Sequence, residues 1–241
     1  LANEPDSAYL FSYATTENRG RNGLHYAWSV DRQNWHSIGP EHRFLFSDFG
    51  SWGSQKRMLT PFLFQDQQGQ WHAIWSLNET VGQFAHAASF DLHTWEPQSY
   101  PYVMKKGNVM QPEVTYMSSS HNYRITWLSE QDGKQNIYKC FTADFKDYSA
   151  TVEGTEADRL SLREEVTLSG EKQLGTVSKV SWELIDNLLQ WYGYRQYREQ
   201  QNSERLTGDN SRFANLENLD ASIEVKPEQK KAISDMLVGI F

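Results

Sequence analysis

Leu24–Trp35 reads LHYAWSVDRQNW, Phe84–Trp95 reads FAHAASFDLHTW and Ile137–Tyr148 reads IYKCFTADFKDY. Aligned, the three stretches share a small residue (Ala27, Ala87, Cys140) followed by a hydroxyl (Ser29, Ser89, Thr142). An aspartate comes next (Asp31, Asp91, Asp144) and then an aromatic (Trp35, Trp95, Tyr148). Successive copies lie about sixty and about fifty residues apart, the period of a propeller blade. The small–x–hydroxyl run alternates with larger residues, as a strand with two unlike faces does. Aspartate at the strand's end has a side chain short enough to accept backbone N–H groups two or three residues on, closing a tight turn. The aromatic then starts an outer strand and packs over that turn. The three aspartates are therefore read as structural.

Each copy follows another strand of the same kind: Ala8–Thr15, Gly69–Asn78 and His121–Glu130 alternate aromatic or aliphatic with small or polar residues. Before the second and third of these lie Arg57–Asp66 (RMLTPFLFQD) and Asn108–Met117 (NVMQPEVTYM). Both carry a proline near the strand's start, where a missing N–H is tolerated. Two blades thus show four strands, inner to outer, and the first shows its last three. Its inner strand lies before Ala8, is absent, or is supplied from elsewhere in the chain, as when the two ends of a propeller share a blade.

At 241 residues the chain suits one all-β domain with a short addition. A net charge of -8, with no Lys/Arg run, argues against a nucleic-acid partner. The 9 Trp, 12 Tyr and 12 Phe residues supply blade cores and also suit a surface on which sugar faces stack. Cys140, the single cysteine, excludes an intrachain disulfide and reads as a buried space-filler. The seven histidines lack HxH or HxxxH spacing, so neither a metal nor another cofactor is expected. No apolar run is long enough for a membrane span.

After about Ala150 the repeat stops. Arg163–Leu168 and Leu174–Val180 read as two strands around Ser169-Gly170-Glu171, a hairpin from which a fourth blade can be pieced together. Ser181 is placed to cap a helix whose apolar stripe is Leu184, Ile185, Leu188 and Leu189, with the polar run Arg195–Glu204 continuing it past Gly193. Leu206–Leu219 reads as a loop and Ala221–Val225 as a strand. The expected organisation is a propeller over 1–180, a helix and linker over 181–220, and the start of a second domain or a docking tail over 221–241.

The repeat, with Thr60-Pro61-Phe62-Leu63-Phe64-Gln65-Asp66 through Trp75-Ser76 and with Gln111-Pro112-Glu113-Val114, resembles the five-bladed propellers of family 43 glycoside hydrolases and their relatives. The likeness covers about Ala8–Ala150. It implies an all-β, five-bladed β-propeller-like fold, of which three blades are legible, followed by one C-terminal helix. A second stretch, Glu224–Phe241 (EVKPEQKKAISDMLVGIF), resembles the opening of family 51 α-L-arabinofuranosidases, which implies a fused enzyme of that kind as partner. Both resemblances imply an oligo- or polysaccharide ligand containing arabinose or xylose. No leader peptide is visible, although the start at Leu1-Ala2-Asn3 is compatible with a removed one, and export to a periplasmic or extracellular space is the expectation.

Glycosidic cleavage usually needs two carboxyl groups, about 6.5–9.5 Å apart in an inverting enzyme. The family presents them on inner strands at the axis, with a third carboxylate tuning the acid. Carried over, Glu113 matches the general acid. Where relatives often show Arg-Asp-Pro this chain has Leu59-Thr60-Pro61, and Thr60 cannot supply a charge. The base would sit on the first blade's inner strand, for which Asp6 is the candidate. Arg57, Gln111 and Thr60 are candidates for contacts to sugar hydroxyls, and Trp52, in the Gly50-Ser51-Trp52-Gly53 loop, for a stacking platform. Glu113 has a bland alternative as a salt-bridge partner. Three readings follow. The first is a binding or accessory module with an incomplete carboxylate set. The second is an active hydrolase of α-L-arabinofuranosidase or β-xylosidase type, pairing Glu113 with Asp6, Asp48 or Asp66. The third is a scaffold that packs on a partner enzyme through Ser181–Glu204, favoured by a filled axial pocket.

Overall fold

The computed structural model describes residues 4–206. Its strands are β1 (Ser7–Tyr13), β2 (His25–Ser29), β3 (His36–Ile38), β4 (Leu59–Gln65), β5 (Trp71–Ser76), β6 (Phe84–Ser89), β7 (Met110–Met117), β8 (Asn122–Gln131), β9 (Lys134–Thr142), β10 (Val152–Glu153), β11 (Arg163–Leu168) and β12 (Glu171–Ser181). One helix, α1 (Trp182–Leu206), follows. The strands form three sheets, ordered β11-β12-β1-β2-β3, β4-β5-β6 and β10-β9-β8-β7. Residues Ser99 and Tyr102 bridge to His86 and Gln83, giving the second sheet an outer segment. β4 lies against β12 on one side and β7 on the other, so these strands are the inner ones. The fold is all-β and propeller-like.

The recurring aspartates do what their position predicts. Asp31 Oδ1 accepts the N–H groups of Gln33 and Asn34 at 2.8 Å each. Asp91 Oδ1 accepts those of His93 and Thr94 at 3.0 and 2.7 Å. Asp144 Oδ1 accepts those of Lys146 and Asp147 at 2.9 and 3.1 Å. The residue after each aspartate (Arg32, Leu92, Phe145) is left-handed, at φ 61°, 65° and 58°. A side chain in that region costs about 1–2 kcal/mol. The two hydrogen bonds offset it, and in the second and third copies so does burial of Leu92 and Phe145. These N–H donors hold the Asp31 and Asp144 carboxyls below the usual carboxylate range. At Asp91 partial burial works upward, yet the Thr94 and His93 donors prevail and the result is again lowered.

The first blade's inner strand comes from far along the chain. β12 pairs antiparallel with β1, from Ser7↔Ser181 to Tyr13↔Gly175. β11 and β12 form the expected hairpin, with Ser169 and Gly170 both at positive φ in its two-residue turn. They therefore complete the first sheet and do not begin a fourth. Only three sheets occur among the described residues, so the count of five rests on the resemblance alone.

The main core lies between the second and third sheets, where Phe62, Ile74, Phe84, Val114, Ile125, Trp127 and Phe145 meet. Each such side chain contributes about 1.5–3 kcal/mol on full burial. Cys140 is buried in this cluster, and burial pushes its thiol up to about 12. A second cluster joins Phe11, Tyr13 and Ala27 to Val166 and Leu168 of β11.

Two compact units divide the chain, Leu1–Ile185 and Asp186–Phe241. Ser181 Oγ accepts the Leu184 N–H at 3.3 Å, the predicted cap, and α1 continues through Gly193. The strand expected at Ala221–Val225 and the family 51-like stretch Glu224–Phe241 lie outside the described residues. No helix among the described residues is long and apolar enough to cross a membrane.

Candidate functional site

β4 and β7 begin alike. Each pairs with its neighbour through its first residue, Leu59 or Met110, then breaks register until Phe62 or Glu113. The skipped residues are Thr60-Pro61 and Gln111-Pro112. Proline cannot donate to a ladder and is tolerated at such bulges. Thr60 and Gln111 take left-handed φ values of 46° and 49°. For a β-branched threonine this is a strained conformation of about 1–3 kcal/mol. The bulges turn two carbonyls, Thr60 O and Pro112 O, toward Arg163, which donates to them through Nη2 at 2.6 and 2.7 Å.

Glu113 follows the second bulge and is only 3% exposed. Its Oε1 lies 3.0 Å from Arg159 Nη2 and 3.6 Å from Arg163 Nη1. Arg159 also donates to Gln111 O from both Nη atoms, at 3.2 Å each. The guanidinium of Arg163 rests over the Phe62 ring, 5.4 Å from its centroid. Burial pulls the Arg163 guanidinium down to about 10, against the pull of Glu113, so it remains a cation at neutral pH. Thr60 Oγ1 and Arg163 Nε are buried there without a hydrogen-bond partner. One acid and two bases thus tie the starts of β4, β7 and β11 together.

Neither arginine stood out in the sequence, although the segment carrying them has a clear local logic. Asp158, just before Arg159, is pinned to the third sheet by Arg124 at 3.0 Å and Lys139 at 2.9 Å. The Lys139 bond is the main cause holding the Asp158 carboxyl down to about 2. Ser161 then reverses the backbone at φ 48°. Leu160 and Leu162 face outward, 52% and 43% exposed, while the arginines on either side turn inward. This inverts the usual apolar-in pattern, which is why alternation alone gave no signal.

The remaining candidates are more dispersed. Arg57 makes a bidentate pair with Glu79, both bonds 2.7 Å, and donates to Arg19 O at 2.8 Å. Gln111 donates its N–H to Ser76 Oγ at 3.1 Å, and its side chain is exposed. Trp52 is 73% exposed on the loop between β3 and β4. Asp6 is exposed before β1, its carbonyl accepting the Trp182 N–H at 3.2 Å. Asp66 closes the β4–β5 turn, accepting from Gln68 and Gln70 N–H, far along β4 from Thr60. Asp48 is exposed in the β3–β4 loop, its backbone held by Gln98 and Lys56. Among the described residues no group of three or more His, Cys, Asp or Glu side chains is arranged to hold a metal.

No known family profile and no curated protein matches this chain. The family 51 resemblance of Glu224–Phe241 accordingly has no support from either comparison. Solved structures that it resembles include an exo-β-1,3-galactanase from Clostridium thermocellum, at 13% identity and a TM-score of 0.47, covering 71% of this chain and 40% of that one. An endo-1,4-β-xylanase from Bacteroides thetaiotaomicron matches at 13% identity and a TM-score of 0.44, covering 69% and 58%. The catalytic domain of a GH62 α-L-arabinofuranosidase from Coprinopsis cinerea matches at 14% identity and a TM-score of 0.33, covering 75% and 54%. The chain spans about half the length of the solved structures it matches.

Proposed function

We propose that this chain is a carbohydrate-active, glycosidase-like propeller with an incomplete catalytic carboxylate set. It serves as a binding or accessory module for arabinose- or xylose-containing plant polysaccharides. The observation that carries the reading is the enclosure of Glu113 by Arg159 and Arg163. A general acid must reach the leaving oxygen within hydrogen-bond distance. Glu113 instead spends Oε1 on two guanidinium groups, and Thr60 stands where an acid is often found. The exposed Trp52 ring and the exposed Gln111 side chain are the assigned sugar contacts, with Arg57 held ready by Glu79. An exported protein, fused to an arabinofuranosidase, completes the proposal.

Affinity electrophoresis in arabinoxylan, arabinan and an unrelated glucan tests binding. Retardation by the pentose polymers, weakened about tenfold by Trp52→Ala, is expected. Hydrolysis of aryl arabinofuranosides and xylosides is expected to be absent. Turnover abolished by Glu113→Gln, in a protein that remains folded, would establish the active hydrolase instead. The buried state of Glu113 and Arg163 also favours the scaffold reading. Absence of retardation in all three polymers would select it.

A further inference from the structure

A second buried polar chain lies away from the bulges. His72 Nε2 is 3.0 Å from Asp66 Oδ2, His72 Nδ1 is 2.8 Å from His86 Nε2, and His86 Nδ1 is 3.5 Å from Ser99 Oγ. His72 and His86 are 4% and 8% exposed. They stand on neighbouring strands of the second sheet, capped by Asp66 from the β4–β5 turn and Ser99 from the outer segment. The third sheet closes over them. Phe145 lies 4.6 Å from the His72 ring and 5.0 Å from the His86 ring, and Phe64 stacks on His72 at 5.2 Å. Phe145 is the left-handed residue of the third aspartate turn, its N–H held by Thr142 Oγ1 at 2.9 Å. Tyr123 adds a second tie, its hydroxyl accepting the Gln67 N–H beside Asp66 at 3.2 Å.

The hydrogens in this chain have a direction. A carboxylate only accepts, so His72 Nε2 donates to Asp66, and in a neutral ring His72 Nδ1 then accepts from His86 Nε2. His86 Nδ1 is left to accept from the Ser99 hydroxyl. One proton is accommodated: a cationic His72 donates both to Asp66 and to His86, whose own hydrogen moves to the Ser99 side. A second proton has no place, because two N–H groups would then face each other across 2.8 Å. We propose that Asp66, His72, His86 and Ser99, a hydrogen-bonded chain within the second sheet, form an acid-sensitive latch by seating Phe145 of the third, tolerant of one proton and released by the next.

The groups that bear on the pair are few. Asp66 and, more distantly, Glu96 act on His72. Glu96 itself accepts from the Gln70 side chain at 3.0 Å. From the third sheet come Tyr123, with Tyr116 behind it, and Phe145 flanked by Asp144 and Lys146, which act on each other. Burial pulls the His72 imidazole down despite Asp66 and Glu96, and burial together with the neighbouring His72 charge pulls His86 to about 3. An open pair would titrate near the ordinary histidine value of about 6.5. The closed form therefore takes up fewer protons than the open one, is favoured above about pH 6.5, and loses that advantage as pH falls toward 3.

Cys140 sits in the same core cluster as Phe145 and reports the opening. Labelling of the full chain by 4,4′-dithiodipyridine, with rates divided by those of a short cysteine peptide at each pH, gives the open fraction. Between pH 6.5 and 4.5 the corrected rate is expected to rise about 50-fold from His86 alone. In His86→Gln the rise is expected to be clearly smaller, reduced to what His72 contributes, since an amide does not titrate there. Equal pH dependence in the two proteins, or a flat wild-type profile, overturns the latch. If His86→Gln does not fold, imidazole NMR signals of the wild type decide. At least one ring unprotonated at pH 4.5 while Cys140 is protected supports the proposal. Two rings titrating near pH 6.5 under continued protection overturn it.

Discussion

Glu113→Gln removes the carboxylate that compensates two buried guanidinium groups while keeping the side chain's size. The side chains of Glu113, Arg159 and Arg163 are 4%, 7% and 6% exposed, so water cannot take over the missing charge. Removing one partner of a buried ion pair costs about 3–5 kcal/mol. With a urea dependence of about 2 kcal/mol per molar, the unfolding midpoint should fall by about 1.5–2.5 M. Arg159→Met supplies the contrast. It keeps one cation, Arg163, beside Glu113 but removes the 3.0 Å bond to Glu113 and both bonds to Gln111 O, so it should cost less, about 1.5–3 kcal/mol. Urea unfolding at pH 7, followed by tryptophan fluorescence, gives both numbers. A Glu113→Gln loss below about 1 kcal/mol, or an Arg159→Met loss as large as that of Glu113→Gln, would refute the charge-compensation reasoning.

Three further outcomes follow from the geometry. Thr60→Gly should stabilise the protein by about 1 kcal/mol in the same urea assay, because it relieves the φ of 46° and removes a buried, unpartnered hydroxyl. Cys140 should resist a thiol reagent at pH 8 in native buffer and react at the rate of a free cysteine in 8 M urea, since burial holds its thiol at about 12. Asp31, Asp91, Asp144 and Asp158 all have lowered folded-state values, Asp158 to about 2. Their stabilisation is therefore complete above an unfolded value of about 4 and lost as pH falls below it. Urea midpoints from pH 5 to pH 2 should show the decline, and Asp158→Asn should flatten part of it.

Much of the architecture was legible because its signals are local. A hydroxyl and an aspartate two residues on are tied to their own turn by hydrogen bonds that span at most five residues, so the three turns could be read one at a time. The hairpin at Ser169-Gly170 and the Ser181 cap were equally local. The first blade's inner strand was not, because the partner of Ser7 is Ser181 and nothing in either stretch names the other. The same distance hid the site. Glu113 was visible as an acid beside a proline on an inner strand, yet its partners Arg159 and Arg163 arrive from the segment leading into β11, far along the chain.

The sequence by itself determined that this is an all-β chain of repeated blades, since alternation, turn chemistry and spacing act over a few residues each. It also determined that Asp31, Asp91 and Asp144 are turn residues, because each finds its donors within its own turn. Only the tertiary structure decided how the first sheet is completed, that Glu113 is enclosed by Arg159 and Arg163, and that His72 and His86 meet beneath Phe145. Those features depend on which strands come to lie side by side. That is set by burial summed over whole sheets, and no short stretch of residues encodes it.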